Sequence, residues 1–331
     1  MQNISLKLNN LNIMIKTFIS STLVLVSFMG FSQSEITENE IKDHIIFLAS
    51  EKNAGRYPGT KANRKVVKYI AKDFKKQDLI PFEKGYKQKF KARLRVAKGE
   101  NEKPLAKTSN AVGYIEGTDP ILKNEYIILG AHYDHLGLGG PSSKSENKNT
   151  IHYGADDNAS GTAALLEIAE KIAANKKALK RSVIFIAFGA EEQGLLGSKF
   201  FIDNAPIPLS KIKLMINMDM VGRLNTEKHV YINGAGTFPE GVAFMQNLGE
   251  SLELRPVVHA GSVGGSDHVS FFKKDISVLG MHTGAHPQYH RPEDTVDLIN
   301  VPGQKKVCDY IYKTIMELAT TNYKMEFIPQ K

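Results

Sequence analysis

The sequence predicts an α/β protein: a mostly parallel central sheet flanked by helices on both faces, an α/β/α sandwich. Three observations carry that expectation. The segments Tyr126–Gly130, Ser182–Gly189 and Lys213–Met218 read as continuous apolar runs, as strands buried on both faces do. They alternate with stretches whose apolar residues recur at helical spacing, the order of βαβ units. Directly after those strands come His, Asp and Glu, and an open α/β sheet binds its ligands at the carboxyl ends of its strands.

In chain order, Met1–Ser32 holds no acidic side chain and only Lys7 and Lys16 as charges, with the apolar stretch Phe18–Phe31 following them. A basic start, a short apolar run and a small-residue exit at Gly30, Ser32 and Ser34 make a secretory signal, with cleavage expected after Ser32 and Met14 as an alternative start. That run falls short of the roughly 20 residues needed to span a bilayer, so no membrane anchor is expected. The protein is therefore expected to be periplasmic or secreted. Residues 33–331 contain no repeat, low-complexity tract or Pro/Ser-rich linker and are expected to form a single catalytic domain.

Glu38–Ala49 and Thr60–Gln77 read as helices, the second carrying Val66, Val67, Ile70 and Phe74 on one side. Tyr86–Val96 and Asn110–Glu116 have strand patterns. After Tyr126–Gly130 follow helix Gly161–Ala174, strand Ser182–Gly189, helix Gly194–Ile202 and strand Lys213–Met218. Strand Val230–Asn233, helix Gly241–Leu252, short strands at Val257–Val258 and Ser277–Gly280, and helix Val301–Leu318 complete the chain. The Gly-rich polar stretch Gly137–Asn149 reads as a surface loop over a site.

The 331 residues are 42% hydrophobic and 24% charged, which excludes a disordered or collagen-like chain. Lone Cys308 closes no intramolecular disulfide and is expected as a buried thiol. The formal charge of +8 invites a nucleic-acid or membrane-surface reading. The basic residues are spread along the chain with no run of five or more, so neither nucleic acid nor any other partner is implied by charge.

Chemistry gathers in five segments: Ala131-His132-Tyr133-Asp134-His135, Gly154-Ala155-Asp156-Asp157-Asn158-Ala159-Ser160-Gly161, Ala190-Glu191-Glu192-Gln193-Gly194, Asp219, and Pro287-Gln288-Tyr289-His290-Arg291-Pro292-Glu293-Asp294-Thr295. Taken singly, each has an ordinary explanation. Asp156-Asp157 before a helix reads as a cap, Glu191-Glu192 as a solvated turn, His290 as a surface imidazole. Together they place His, Asp, Glu, Asp and His where side chains converge, and convergent carboxylates repel unless a cation joins them.

These five segments resemble the M28 family of co-catalytic zinc aminopeptidases, as does Gly55-Arg56-Tyr57-Pro58-Gly59-Thr60 nearer the N-terminus. The resemblance implies two zinc ions, with cobalt or manganese as substitutes: His132 and Asp219 on one, Glu192 and His290 on the other, Asp157 bridging. It implies Asp134 as the carboxylate that fixes the His132 tautomer, Glu191 as general base, and a cis peptide at Asp157-Asn158. Tyr289 is expected to donate to the tetrahedral intermediate, Glu191 and Asp219 to hold the substrate α-amino group, and Met220 to line the side-chain pocket with Val221 and Phe271. The partners implied are peptides with a free N-terminus. A glutaminyl cyclase-type acyltransferase and a dipeptidase or carboxypeptidase are the alternatives. Ser266-Asp267-His268 is not read as a catalytic triad; Asp267 is expected to cap the next helix. His135, His152, His282 and His286 are expected as structural, with His282 and His286 also candidates for the pocket.

Overall fold

Eight strands hydrogen-bond side by side in one sheet, in the order β1-β2-β4-β3-β5-β8-β6-β7. The computed structural model describes residues 35–82, 85–96, 104–147, 149–261 and 264–330. The expected signal segment lies outside them, and Ser34–Lys331 folds as one unit. The strands are β1 (Lys87–Arg93), β2 (Leu105–Ile115), β3 (Tyr126–His132), β4 (Ser182–Phe188), β5 (Ile212–Met218), β6 (His229–Asn233), β7 (Arg255–Val258) and β8 (Ser277–His282). The four central strands β4-β3-β5-β8 are parallel, as expected. The flanks make the sheet mixed, because β1–β2, β2–β4 and β6–β8 pair antiparallel.

The helices are α1 (Glu38–Leu48), α2 (Lys61–Lys76), α3 (Gly161–Ala174), α4 (Leu196–Asp203), α5 (Gly241–Ser251), α6 (His268–Phe272) and α7 (Val301–Thr320). Thr37, Thr60 and Asn300 cap α1, α2 and α7, each side-chain oxygen accepting an early backbone N–H of its helix. Successive strand residues point to opposite faces, so each central strand feeds two cores. Val183, Phe185 and Ala187 of β4 join the core beneath α1, α2, α3 and α7; Ile184, Ile186 and Phe188 join the core beneath α4 and α6. None of the described helices is long and apolar enough to cross a membrane.

β2 begins five residues before the expected Asn110, because it pairs with β1 along its whole first half, from Arg93 opposite Leu105 to Lys87 opposite Ala111. The helix expected from Gly194 starts at Leu196, after a turn in which the Gly194 and Leu195 N–H groups bond the Glu191 oxygen.

Candidate metal centre

The site forms where the parallel strands end. β3 finishes on His132, β4 is followed by Glu191 and Glu192, and β5 delivers Asp219. Asp157 comes from the irregular turn ahead of α3, where Asp157 and Asn158 leave helical geometry and the peptide between them is cis, as the resemblance implied. Gly154 opens that turn at φ +57, and a Cβ there would sit 2.2 Å from the Asp157 carbonyl oxygen, so only glycine allows the chain to fold back this tightly.

His132 Nε2 stands 3.3 Å from Asp157 Oδ1 and 3.4 Å from Asp219 Oδ1. His290 Nε2 stands 3.2 Å from Asp157 Oδ2 and 3.3 Å from Glu192 Oε2. The two oxygens of Asp157 thus serve two separate groups. Two clusters bring potential ligand atoms within 4.8 Å of one another: His132, Asp157 and Asp219 in one, His135, Asp157 and Glu192 in the other. Imidazole nitrogens with carboxylate oxygens suit zinc and also accept cobalt or manganese, so the donor chemistry fits divalent cations.

The electrostatics are those of acids crowded in a dry place. Burial, then Asp157, pushes Glu192 up to about 8, and burial raises Asp134 to about 7. Glu191 is lifted well above the carboxylate range by burial and by Asp267, Glu192 and Asp219, with His132 opposing. Asp157 is the exception: burial would raise it, but the imidazoles of His135, His132 and His290 hold it well below its ordinary value. A cation between these groups removes the repulsion.

Several expectations change. His132 Nδ1 bonds the main-chain oxygen of Asp134 at 3.1 Å, while the Asp134 carboxylate lies 3.9 Å away and accepts the Glu191 N–H at 2.9 Å. The main-chain oxygen is thus the nearer group to His132 Nδ1, and the Asp134 side chain ties the start of the Glu191 loop to the end of β3. His135 Nδ1 lies 2.9 Å from Glu192 Oε1. Asp267 makes no cap bond to α6 and is buried, its carboxyl raised to about 7 by burial. Val221 and Phe271 are fully buried core and line no pocket wall here. Met220, at φ +62, lines a cavity of about 330 Å³ with Asp219, His282 and Tyr289. The Tyr289 ring stacks on His290 at 3.9 Å. His286 faces Asp156 at 3.3 Å instead of lining that cavity. Ser266 accepts a hydrogen bond from Asn217 and belongs to the cavity wall.

Two residues that sequence reasoning assigned no role hold the loops that carry His132 and Asp157. Asp294 Oδ2 accepts the N–H groups of Asp156 and Asp157, both at 3.0 Å. Arg56, fully buried, donates Nε to the Tyr133 oxygen at 2.8 Å, Nη1 to Leu48 at 3.1 Å and Tyr153 at 2.7 Å, and Nη2 to Gly154 at 3.0 Å. The loop at 137–149 also meets the site, the Ser142 oxygen lying 2.9 Å from His290 Nδ1.

Fold and site together define an α/β protein with clustered His and carboxylate side chains that could hold a metal at the carboxyl edge of its sheet. The chain belongs to peptidase family M28, whose model matches residues 110–315. Leucine aminopeptidase 2 of Arthroderma otae is 30% identical over 222 residues, 58% of this chain and 41% of that protein. The chain thus spans less than half the length of that curated relative. Among solved structures, a zinc aminopeptidase from Bacillus subtilis matches with a TM-score of 0.66 at 18% identity, covering 89% of this chain and 98% of that one. The glutaminyl cyclase of Porphyromonas gingivalis matches with a TM-score of 0.69 at 18% identity, covering 86% and 99%. At such identities both speak for the fold alone.

Proposed function

We propose that this chain is an exported, zinc-dependent aminopeptidase that removes N-terminal residues from peptides. The observation that carries the reading is the pair of ligand clusters sharing Asp157, with Glu191 directly beside the ligand Glu192. His132, Asp219, Glu192 and His290 would complete the set for two zinc ions. Export rests on the composition of Met1–Ser32 and the catalytic domain on 33–331.

Divalent cations held there supply Lewis acidity that polarises a carbonyl and makes water a better nucleophile. Glu191, its carboxyl raised by burial and by neighbouring acids, takes the proton of the attacking water and returns it to the leaving amine. Asp219 and Glu191 pair with the substrate α-amino group, and the cavity walled by Met220 receives the N-terminal side chain. Tyr289, whose hydroxyl stays protonated because burial pushes its pKa far up, donates to the developing oxyanion.

The test combines metal analysis with a panel of aminoacyl-chromogenic, N-blocked and N-terminal Gln peptides, on the wild type and Glu191→Gln. We expect cleavage of free N-termini only, two metals per chain, and a loss of ~10²–10⁴-fold in the variant at unchanged metal content. Full activity in Glu191→Gln removes the proposed base. Cyclisation of N-terminal Gln with one metal moves the chain to the acyltransferases, and cleavage of N-blocked peptides moves it to another peptidase type.

A further inference from the structure

The positive charge of this chain is concentrated where the sequence reading took it to be spread. Residues 60–107 hold 16 of the 43 basic side chains and 5 of the 35 acidic ones, so the rest of the chain is net acidic. Folding gathers much of that segment on α2, β1 and the start of β2. Along β1, Phe90 and Ala92 turn inward while Lys87, Lys89, Lys91 and Arg93 are exposed on the alternate positions. A groove of about 450 Å³ runs beside them, lined by Arg64 of α2, Lys87, Lys89 and Lys91 of β1, and Lys107 of β2, with no acidic residue among its described lining.

Stability alone does not favour this arrangement. Lys91 and Lys107 stand directly opposite each other across the β1–β2 ladder, a like-charge pairing that weakens a sheet. Lysines on an edge strand do guard against unwanted pairing. That purpose does not call for a helix and a second strand to send further cations to the same groove. An anionic partner makes the whole set favourable.

The backbone narrows the partner's class. β1 is the outermost strand, so among the described residues one of its edges has no partner strand. Its outward cations recur every second residue, ~6.8 Å apart, which is the spacing of side chains on one face of an added strand. We propose that the β1 edge and its groove dock an extended acidic polypeptide segment by strand addition, with carboxylates at alternate positions meeting Lys87, Lys89 and Lys91. This surface is separate from the metal centre and stands whether or not the aminopeptidase reading does.

The probe is a fluorescein-labelled peptide alternating Glu and Thr, N-acetylated so that it offers no free amine, measured by anisotropy with the full chain. We expect Lys89→Glu/Lys91→Glu to weaken binding at least ~10-fold at low salt, and Lys107→Ser to weaken it ~3-fold. Raising salt to ~0.5 M should weaken the wild type similarly, because exposed charges are then screened within a few ångströms. N-methylation of alternate peptide bonds in the probe should cost as much at constant charge. Unchanged circular dichroism and unchanged cleavage of an aminoacyl-chromogenic substrate would show that the variants are folded. Equal binding by wild type and both variants overturns the proposal, as does an N-methylated probe that binds as tightly as its parent. Heparin or anionic vesicles binding more tightly than the peptide, with the same dependence on Lys89 and Lys91, would assign the groove to another polyanion and overturn it too.

Discussion

Replacing Arg56 with Met keeps the bulk of the side chain and removes one buried cation and its four hydrogen bonds to the oxygens of Leu48, Tyr133, Tyr153 and Gly154. The Gly154 oxygen keeps the Ala159 N–H, so three carbonyls are left unpaired, and at ~1–2 kcal/mol each they would cost ~3–6 kcal/mol. The cation itself is held at some expense: burial lowers its pKa to about 10, equivalent to ~3 kcal/mol that a neutral side chain recovers. The lost hydrogen bonds outweigh that relief, and we expect Arg56→Met to destabilise the protein by ~2 kcal/mol, more than an average substitution. The damage falls on the ligand loops, because Tyr133 lies between His132 and Asp134, and Gly154 leads into Asp157. Zinc affinity should drop ~10–100-fold, the range seen when groups that orient ligands are removed. Arg56→Lys, which keeps the charge without the planar fork of donors, should recover only part of either loss. Urea unfolding in excess chelator reads the stability, and zinc titration against a competing indicator reads the affinity. A variant within ~0.5 kcal/mol of the wild type with unchanged zinc affinity would refute the assignment of Arg56 as the tie between these loops.

Two further outcomes follow from buried groups. In the chelated protein Asp134 titrates at about 7 and Glu192 at about 8, both above their unfolded values, and His132 is held well above its own. A group whose pKa is raised by folding stabilises the fold while protonated, so chelated stability should fall by ~2 kcal/mol or more as pH rises from about 6 to about 9. Saturating zinc should flatten that slope; a urea-midpoint series with a level or rising chelated profile would contradict the crowded-carboxylate picture. Cys308 is fully buried and its thiol is pushed well up by burial, so a thiol reagent should label it only as the protein unfolds. Rapid stoichiometric labelling of the native chain would show that α7 opens locally.

The residues of the candidate centre were legible because each follows a local signal. An apolar run ends, and the next polar residue, His132, Glu191 or Asp219, stands at a strand's carboxyl end, where the topology makes ends converge. The supporting contacts have no such signal. Arg56 lies 77 residues from Tyr133 and 97 from Tyr153, so the motif around it marks a position without revealing what the guanidinium will meet. His135 follows Asp134 in the sequence, and only the fold turns its ring to Glu192. Asp267 precedes a helix as a cap residue should, yet its buried side chain makes no cap bond.

The cationic edge was missed for a different reason. A search for consecutive charges asks about neighbours in sequence, whereas a strand makes neighbours of every second residue. Lys87-Gln88-Lys89-Phe90-Lys91-Ala92-Arg93 contains no two adjacent cations, and in β1 it becomes an unbroken ladder of four on the exposed positions. α2 adds Arg64 to the same groove, and Lys107 joins by its register opposite Lys91. Charge therefore has to be counted with the period of the element that carries it. Counted so, five cations of residues 60–107, Arg64, Lys87, Lys89, Lys91 and Lys107, line one groove, while the acids of the candidate centre lie at the ends of β4 and β5 and in the turn before α3.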